Sequence, residues 1–376
     1  MAGIYLHIPF CKRACHYCNF HFSTSLALKN DFVSALLKEA LFRQQYLRHE
    51  IIETIYFGGG TPSLLTNDDL HQISSELKAT FEIKADAEVT LEANPEDISV
   101  EKLRGWRALG INRLSIGVQS FFDEDLQWMN RSHNAGQAIN SVNTALAEGF
   151  DNITIDLIYG TSTLTDSKWK KNIDKAIELS IPHLSCYALT VETKTVLASM
   201  IKQKKIKDVN QSHQSQQFLL LMNWLKAAGY QHYEISNFAK AGYRSRHNSS
   251  YWQGKKYLGL GPSAHSFNET SRQWNVSNNA LYIESLKRNE LIFEKEELTS
   301  VQKLNEYIMT SLRTMEGCDL NYVTKEFGQV AADKLIQSSK TYLEKSFLGI
   351  NSTIVLTDEG KLFADGIASD LFFENL

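Results

Sequence analysis

Residues 7–22, HIPFCKRACHYCNFHF, carry three of the chain's five cysteines in the spacing C-x3-C-x2-C. Directly before them IYLHI (4–8) is an apolar run of strand length, closed by Pro9. Cys11, Cys15 and Cys18 stand at i, i+4 and i+7, which in a helix would put three small side chains on one face. Lys12, Arg13 and His16 between them are polar, so the segment reads as a loop wrapped around something. Three thiols suit a zinc site completed by His16 or His21. They equally suit an iron-sulfur cluster with one iron left without a protein ligand.

Working outward, short apolar segments recur at 4–8, 54–58, 88–94, 113–119, 152–160 and 183–189, separated by stretches with helical apolar spacing at 29–49, 68–81, 99–109, 134–148 and 166–180. Strands alternating with helices of that length imply parallel βαβ units. The predicted fold class is therefore α/β, an open partial (βα)6 barrel two units short of closure. Active sites in such folds gather at the carboxyl ends of the strands. There the sequence places the cysteines after the first strand, GGGTP (58–62) after the second, Glu92 and Gln119 ending the third and fourth, and Asp156 on the fifth.

Composition sets the bounds. A 376-residue chain that is 43% hydrophobic can bury a large core, and a formal net charge of −4 gives no electrostatic footprint for nucleic acid. The basic run KQKKIK (202–207) reads as a solvated face. No apolar run of about 20 residues and no signal peptide are present, which predicts a cytoplasmic protein, with peripheral attachment to a membrane left open. An odd number of cysteines clustered at one end argues for a metal or redox site rather than disulfides, with Cys186 and Cys318 as small buried hydrophobes.

The cysteine spacing, with Tyr17 before the last cysteine and the motif after a first strand, resembles the signature of the radical S-adenosylmethionine (SAM) superfamily. That resemblance implies a 4Fe-4S cluster on Cys11, Cys15 and Cys18 whose open iron chelates SAM, the source of a 5'-deoxyadenosyl radical. YLHIPFC, YFGGGTPSLL, LEANPED, RLSIGVQSF, the Asn130–Arg131 pair and IDLIYG together resemble the branch that holds oxygen-independent coproporphyrinogen III oxidases and a related group of heme chaperones. The likeness runs through essentially the whole chain. It implies SAM contacts at Tyr5, Gly59, Gly60, Thr61, Glu92, Gln119, Arg131 and Asp156, and at Ala188 in CYAL, where the spacing differs.

Two departures separate this chain from the oxidases. Their further cysteine is replaced, Cys18 being followed by Asn19 and Phe20, and the first strand begins at residue 4 without their N-terminal extension. HNSSYW (247–252) in turn resembles the chaperones' H-N-x-x-Y-W heme motif, which makes His247 the expected axial ligand, supported by Tyr251 and Trp252. Heme transfer to recipient haemoproteins, with an electron donor feeding the cluster, is the expected function. Oxidative decarboxylation of coproporphyrinogen III is the alternative. An iron open to outside ligands also leaves room for a cluster-dependent homodimer. YLGLGPSAHSF (257–267) reads as a glycine-rich turn with His265 structural. Helices at 299–315, 319–327 and 330–346, a hairpin and a last helix near 358–370 predict a small winged-helix-like domain. Expected divisions are 1–235, 236–298 and 299–376.

Overall fold

The computed structural model describes residues 2–375. Six strands, β1 (Ala2–Ile8), β2 (Ile52–Gly59), β3 (Ile83–Ala93), β4 (Arg113–Gln119), β5 (Ile153–Tyr159) and β6 (His183–Ala188), lie parallel and in sequence order. Along β3, β4 and β5 buried apolar residues alternate with polar ones, Thr90, Glu92, Ser115, Thr154 and Asp156 among them. Ile4, Leu6, Phe57, Leu91, Leu114, Ile116, Ile155 and Leu184 are buried in one core cluster. The crossover helices Lys29–Phe42, Asn67–Thr80, Val100–Ala108, Ala135–Ala147 and Asp166–Glu178 follow the periodicity closely. Two of them open on reciprocal caps, Thr66 with Asp69 and Asn134 with Gln137, in which each side chain accepts from the other's backbone N–H. The first helix stops seven residues early: Arg48 and His49 turn into the left-handed region (φ 50° and 63°), while buried Leu47 carries the apolar pattern past the helix end.

The sheet is wider than six strands. After β6 come β7 (Gln231–Glu234) and β8 (Asn237–Ala239), β8 pairing antiparallel with β6. On the other edge β9 (Tyr257–Leu260) runs parallel to β1, followed by antiparallel β10 (His265–Phe267), β11 (Ser271–Asn275) and β12 (Phe293–Glu297), giving twelve strands in all among the described residues. The glycine-rich turn expected at 257–267 is thus half strand. Gly259 is the reason for its composition: a Cβ there would stand 2.0 Å from the carbonyl oxygen of His265, so only glycine lets β9 and β10 fold so closely together.

Residues 300–373 build a second core around Leu304, Ile308, Leu312, Val323, Leu335, Ile354 and Ile367. Helices Ser300–Leu312, Leu320–Phe327 and Gln329–Glu344 precede a hairpin, Leu348–Ile350 with Thr353–Leu356, and a helix at Ala364–Asp370, a winged-helix-like arrangement. This module is tied to the barrel where Arg313 meets Glu234 at 3.3 Å and Arg272 meets Glu306 at 3.0 Å. Among the described residues no helix is long and apolar enough to cross a membrane.

Candidate functional site

The cysteine loop leaves the carboxyl end of β1 and is pinned along its length. Cys11 N–H donates to Ser23 O at 3.0 Å and Ser23 N–H to Pro9 O at 2.9 Å. His16 donates from its backbone to Met129 O (3.1 Å) and from Nδ1 to Trp128 O (2.8 Å), and Asn130 Nδ2 donates to Ala14 O at 2.8 Å. The His21 ring is bonded through Nε2 to Asn279 Oδ1 at 2.7 Å. Each ring keeps its second nitrogen, His16 Nε2 and His21 Nδ1, without a hydrogen bond among the described residues. Among the described residues no group of three or more His, Cys, Asp or Glu could hold a single metal ion. All five cysteines are free thiols, and Cys186 and Cys318 are buried.

A cavity of about 450 Å³ opens beneath the loop. Cys11, Cys15 and Cys18 line it together with Gly59, Gly60, Thr61, Glu92, Gln119, Arg131, Asp156 and Ala188, so the ends of all six parallel strands meet there. A hydrogen-bonded chain links two of the thiols. Thr61 Oγ1 donates to Cys11 Sγ (3.4 Å), Asn94 Nδ2 to Thr61 Oγ1 (3.2 Å), and Arg131 to both Asn94 Oδ1 (2.7 Å) and Cys15 Sγ (3.2 Å). Sequence reasoning passed over Asn94. Its position two residues after Glu92, hence on the same face at the same strand end, was the available signal. Gly60 brings the backbone in: a Cβ there would lie 2.6 Å from Phe10 O and 2.7 Å from Ile8 O. Gly60→Ala is expected to push the Ile8–Cys11 backbone aside and to lower stability by about 1–3 kcal/mol, measured by denaturant unfolding against wild type.

Acidic groups outnumber basic ones in the cavity wall, Glu92, Glu96, Asp156 and Glu192 against Arg13 and Arg131. Burial pushes the Glu92 carboxyl up to about 8, against a hydrogen bond from Tyr56 and with help from nearby Asp156. The Tyr56 hydroxyl lies 2.8 Å from Glu92 Oε1, a contact that sequence reasoning also missed. Asp156 is pushed up to about 6 by burial, opposed by Ser185 and Arg113. Gln119, held at φ 60°, keeps its buried Oε1 without a partner among the described residues. Glu92 and Asp156, whose side-chain donors are the hydroxyls of Tyr56, Ser115 and Ser185, and the orphaned amide oxygen of Gln119 form a buried, acceptor-rich set. At the loop end burial lifts the Cys11 thiol to about 11 and raises that of Cys18. Burial also works against the Arg131 charge, but Tyr17 and Cys15 outweigh it and hold the guanidinium charged beside the sulfur. The residues therefore fit a cluster at the loop and a cationic ligand further in.

A second cavity, of about 1600 Å³, adjoins the first, and Asn19, Phe20, Gly59 and Glu92 line both. Tyr5 lines this larger space and not the smaller one, with its hydroxyl 3.2 Å from His7 Nδ1. Tyr251 and Trp252 line it too, at the end of the helix Arg246–Trp252. His247, the expected axial ligand, is 1% exposed. Its Nδ1 is bonded to Thr54 Oγ1 at 2.8 Å and its Nε2 to the Tyr251 hydroxyl at 2.9 Å, and its ring stacks on Tyr56 at 5.0 Å. Glu88 accepts from its backbone N–H at 2.9 Å, and burial depresses the imidazole to about 3. The ring would have to give up one of these bonds before it could ligate iron.

Residues 5–176 match the radical SAM superfamily. Over 373 residues, 98% of both chains, the sequence is 32% identical to the heme chaperone HemW of Bacillus subtilis, and over 98% of this chain and 94% of the other it is 33% identical to HemW of Mycobacterium tuberculosis. The coproporphyrinogen III oxidase HemN of Escherichia coli, a radical SAM enzyme, has a solved structure that superimposes on 100% of this chain and 90% of its own with a TM-score of 0.86 at 23% identity, which shows the fold. The chain belongs to the radical SAM superfamily, in the family of the proteins named heme chaperone HemW.

Proposed function

We propose that the protein is a heme chaperone that holds a 4Fe-4S cluster on Cys11, Cys15 and Cys18, SAM in the adjoining cavity and heme in the larger one, and passes heme to recipient haemoproteins. One observation carries the reading: a single cavity has the three loop thiols at one end and the buried acceptors Glu92, Gln119 and Asp156 at the other. When bound, the cluster and SAM supply one-electron cleavage chemistry, fed by an external electron donor. The chain's own residues bind and orient. Arg131 and Thr61 donate to the sulfurs and favour the thiolates that iron requires. Glu92 and Asp156 offer negative charge to the sulfonium, and Gly59 and Gly60 bring the β2 backbone against the ligand. On the heme side Tyr251 and Trp252 supply aromatic wall, and His247 anchors their helix from beneath.

Heme is the part the relatives' names suggest and the large aromatic cavity accommodates. Titrating anaerobically reconstituted protein with hemin is expected to give saturable binding of about one per chain with a shifted Soret band. A response no different from that of an unrelated protein would overturn the heme assignment and bring coproporphyrinogen III turnover forward as the assay to run.

A further inference from the structure

Building on the heme reading, the larger cavity offers a small choice of iron ligands. Among the described residues its wall contains no cysteine or methionine, and its imidazoles are His7, His21 and His265. His7 uses Nδ1 on the Tyr5 hydroxyl (3.2 Å) and Nε2 on the His21 carbonyl (2.8 Å). His21 uses Nε2 on Asn279, which leaves Nδ1, but the ring is less exposed than that of His265. The wall's tyrosines are poor candidates, since burial raises the Tyr5, Tyr233 and Tyr251 hydroxyls above their ordinary range and so disfavours the phenolates. His265 differs from all of these. It is exposed to the cavity and, among the described residues, its ring makes no hydrogen bond.

The backbone of His265 is nevertheless fixed. It begins β10 opposite Trp274, on whose ring it stacks with centroids 6.0 Å apart and planes 26° apart. The preceding turn is held by Asn275 N–H to Ala264 O (2.9 Å) and Ser263 N–H to Val276 O (3.1 Å), and fully buried Glu39 accepts from Gly261 N–H at 2.8 Å. The Trp274 indole is itself pinned, donating to Glu294 at 3.1 Å. An imidazole with a rigid base and one stacked face is held in place, and its unengaged nitrogens can take a ligand without breaking a bond. Burial and Arg272 hold it below its ordinary value, so the ring is neutral at pH 7, the form that binds metal. An anionic carboxylate has a partner in Lys303, which lines the cavity and makes no ion pair among the described residues, whereas Arg272 in the same wall is already paired with Glu306. Phe20, 65% exposed and shared with the SAM cavity, offers a face for stacking next to the cluster loop.

We propose that His265 supplies the axial iron ligand of an iron porphyrin bound in this cavity, its lone pair replacing a water on the iron with no change in oxidation state. The test titrates wild type, His265→Ala and His265→Met with hemin and, separately, with metal-free protoporphyrin IX. Because His265 is exposed and bears on the fold only through Trp274, both variants are expected to fold, which circular dichroism checks. His265→Ala should weaken hemin binding by more than about tenfold and shift its Soret band, leave metal-free porphyrin affinity unchanged, and His265→Met should restore hemin binding with a different spectrum. Hemin affinity and spectrum in His265→Ala equal to wild type would overturn this ligand assignment while leaving the heme reading standing. Failure of the wild type to bind hemin would instead overturn the heme reading and this proposal with it.

Discussion

Cys15→Ala is expected to abolish cluster assembly outright: after anaerobic reconstitution, iron, sulfide and the brown absorbance fall to the background of untreated protein. The reasoning runs through what holds the loop. Its conformation rests on backbone bonds from Cys11 and Ser23, on His16 against Met129 and Trp128, and on Asn130 against Ala14, none of which uses a thiol. Removing the Cys15 sulfur therefore leaves a folded loop with two ligands, too few to hold a cubane that three cysteines hold with one iron open. The side chain lost also takes the sulfur acceptor from Arg131 at 3.2 Å, leaving that guanidinium its bonds to Asn94 and to Gly117 O at 3.0 Å. Circular dichroism and the unfolding midpoint of the unreconstituted protein should change little. Unaltered brown absorbance in the variant would remove Cys15 from the ligand set.

Much of this was legible in the sequence because the chemistry sits where strand ends must converge. Parallel βαβ order could be read from the alternation of apolar runs and helical periods, and it placed Glu92, Gln119 and Asp156 on the face that the structure brings together. What escaped was long-range pairing. β9 was hidden because Gly259 and Gly261 look like turn residues, whereas Gly259 is demanded by the 2.0 Å approach of the His265 carbonyl. β7, β8, β11 and β12 are only three to five residues long, too short for a strand period to show, and β8 joins the sheet on a strand far back in the chain, Ala239 facing His183. The environment of His247 escaped for a related reason: its partner Thr54 is 193 residues away. A motif can mark a helix end, but only packing tells whether the ring within it is open or enclosed.

Glu92→Gln is expected to move ligand affinity and stability in opposite directions. In the ligand-free protein the Glu92 carboxyl ionises at about 8 where an ordinary glutamate ionises at 4.5, so between those values the folded state holds more protons than the unfolded one. Stability then falls as pH rises through that window, because the slope follows the difference in bound protons. Asp156 adds a smaller loss of the same sign between 3.8 and about 6. Glutamine cannot ionise, so the variant should unfold at a higher temperature than wild type above neutral pH and match it at pH 4.5. A cationic ligand reverses the balance, since the sulfonium keeps its charge at every pH and favours the carboxylate. Wild-type SAM affinity should rise by up to about tenfold per pH unit as Glu92 loses its proton below about 8. Calorimetry in buffers of different ionisation heat should show a proton released on binding at pH 7. The variant should bind about 10- to 100-fold more weakly at pH 8, with a flatter pH profile and less proton release, while its iron and sulfide content stays at wild type. Equal affinity in the two proteins at pH 8 would show that the Glu92 carboxylate does not meet the cation. A buried acid kept at the cost of stability is explained by the ligand charge it awaits.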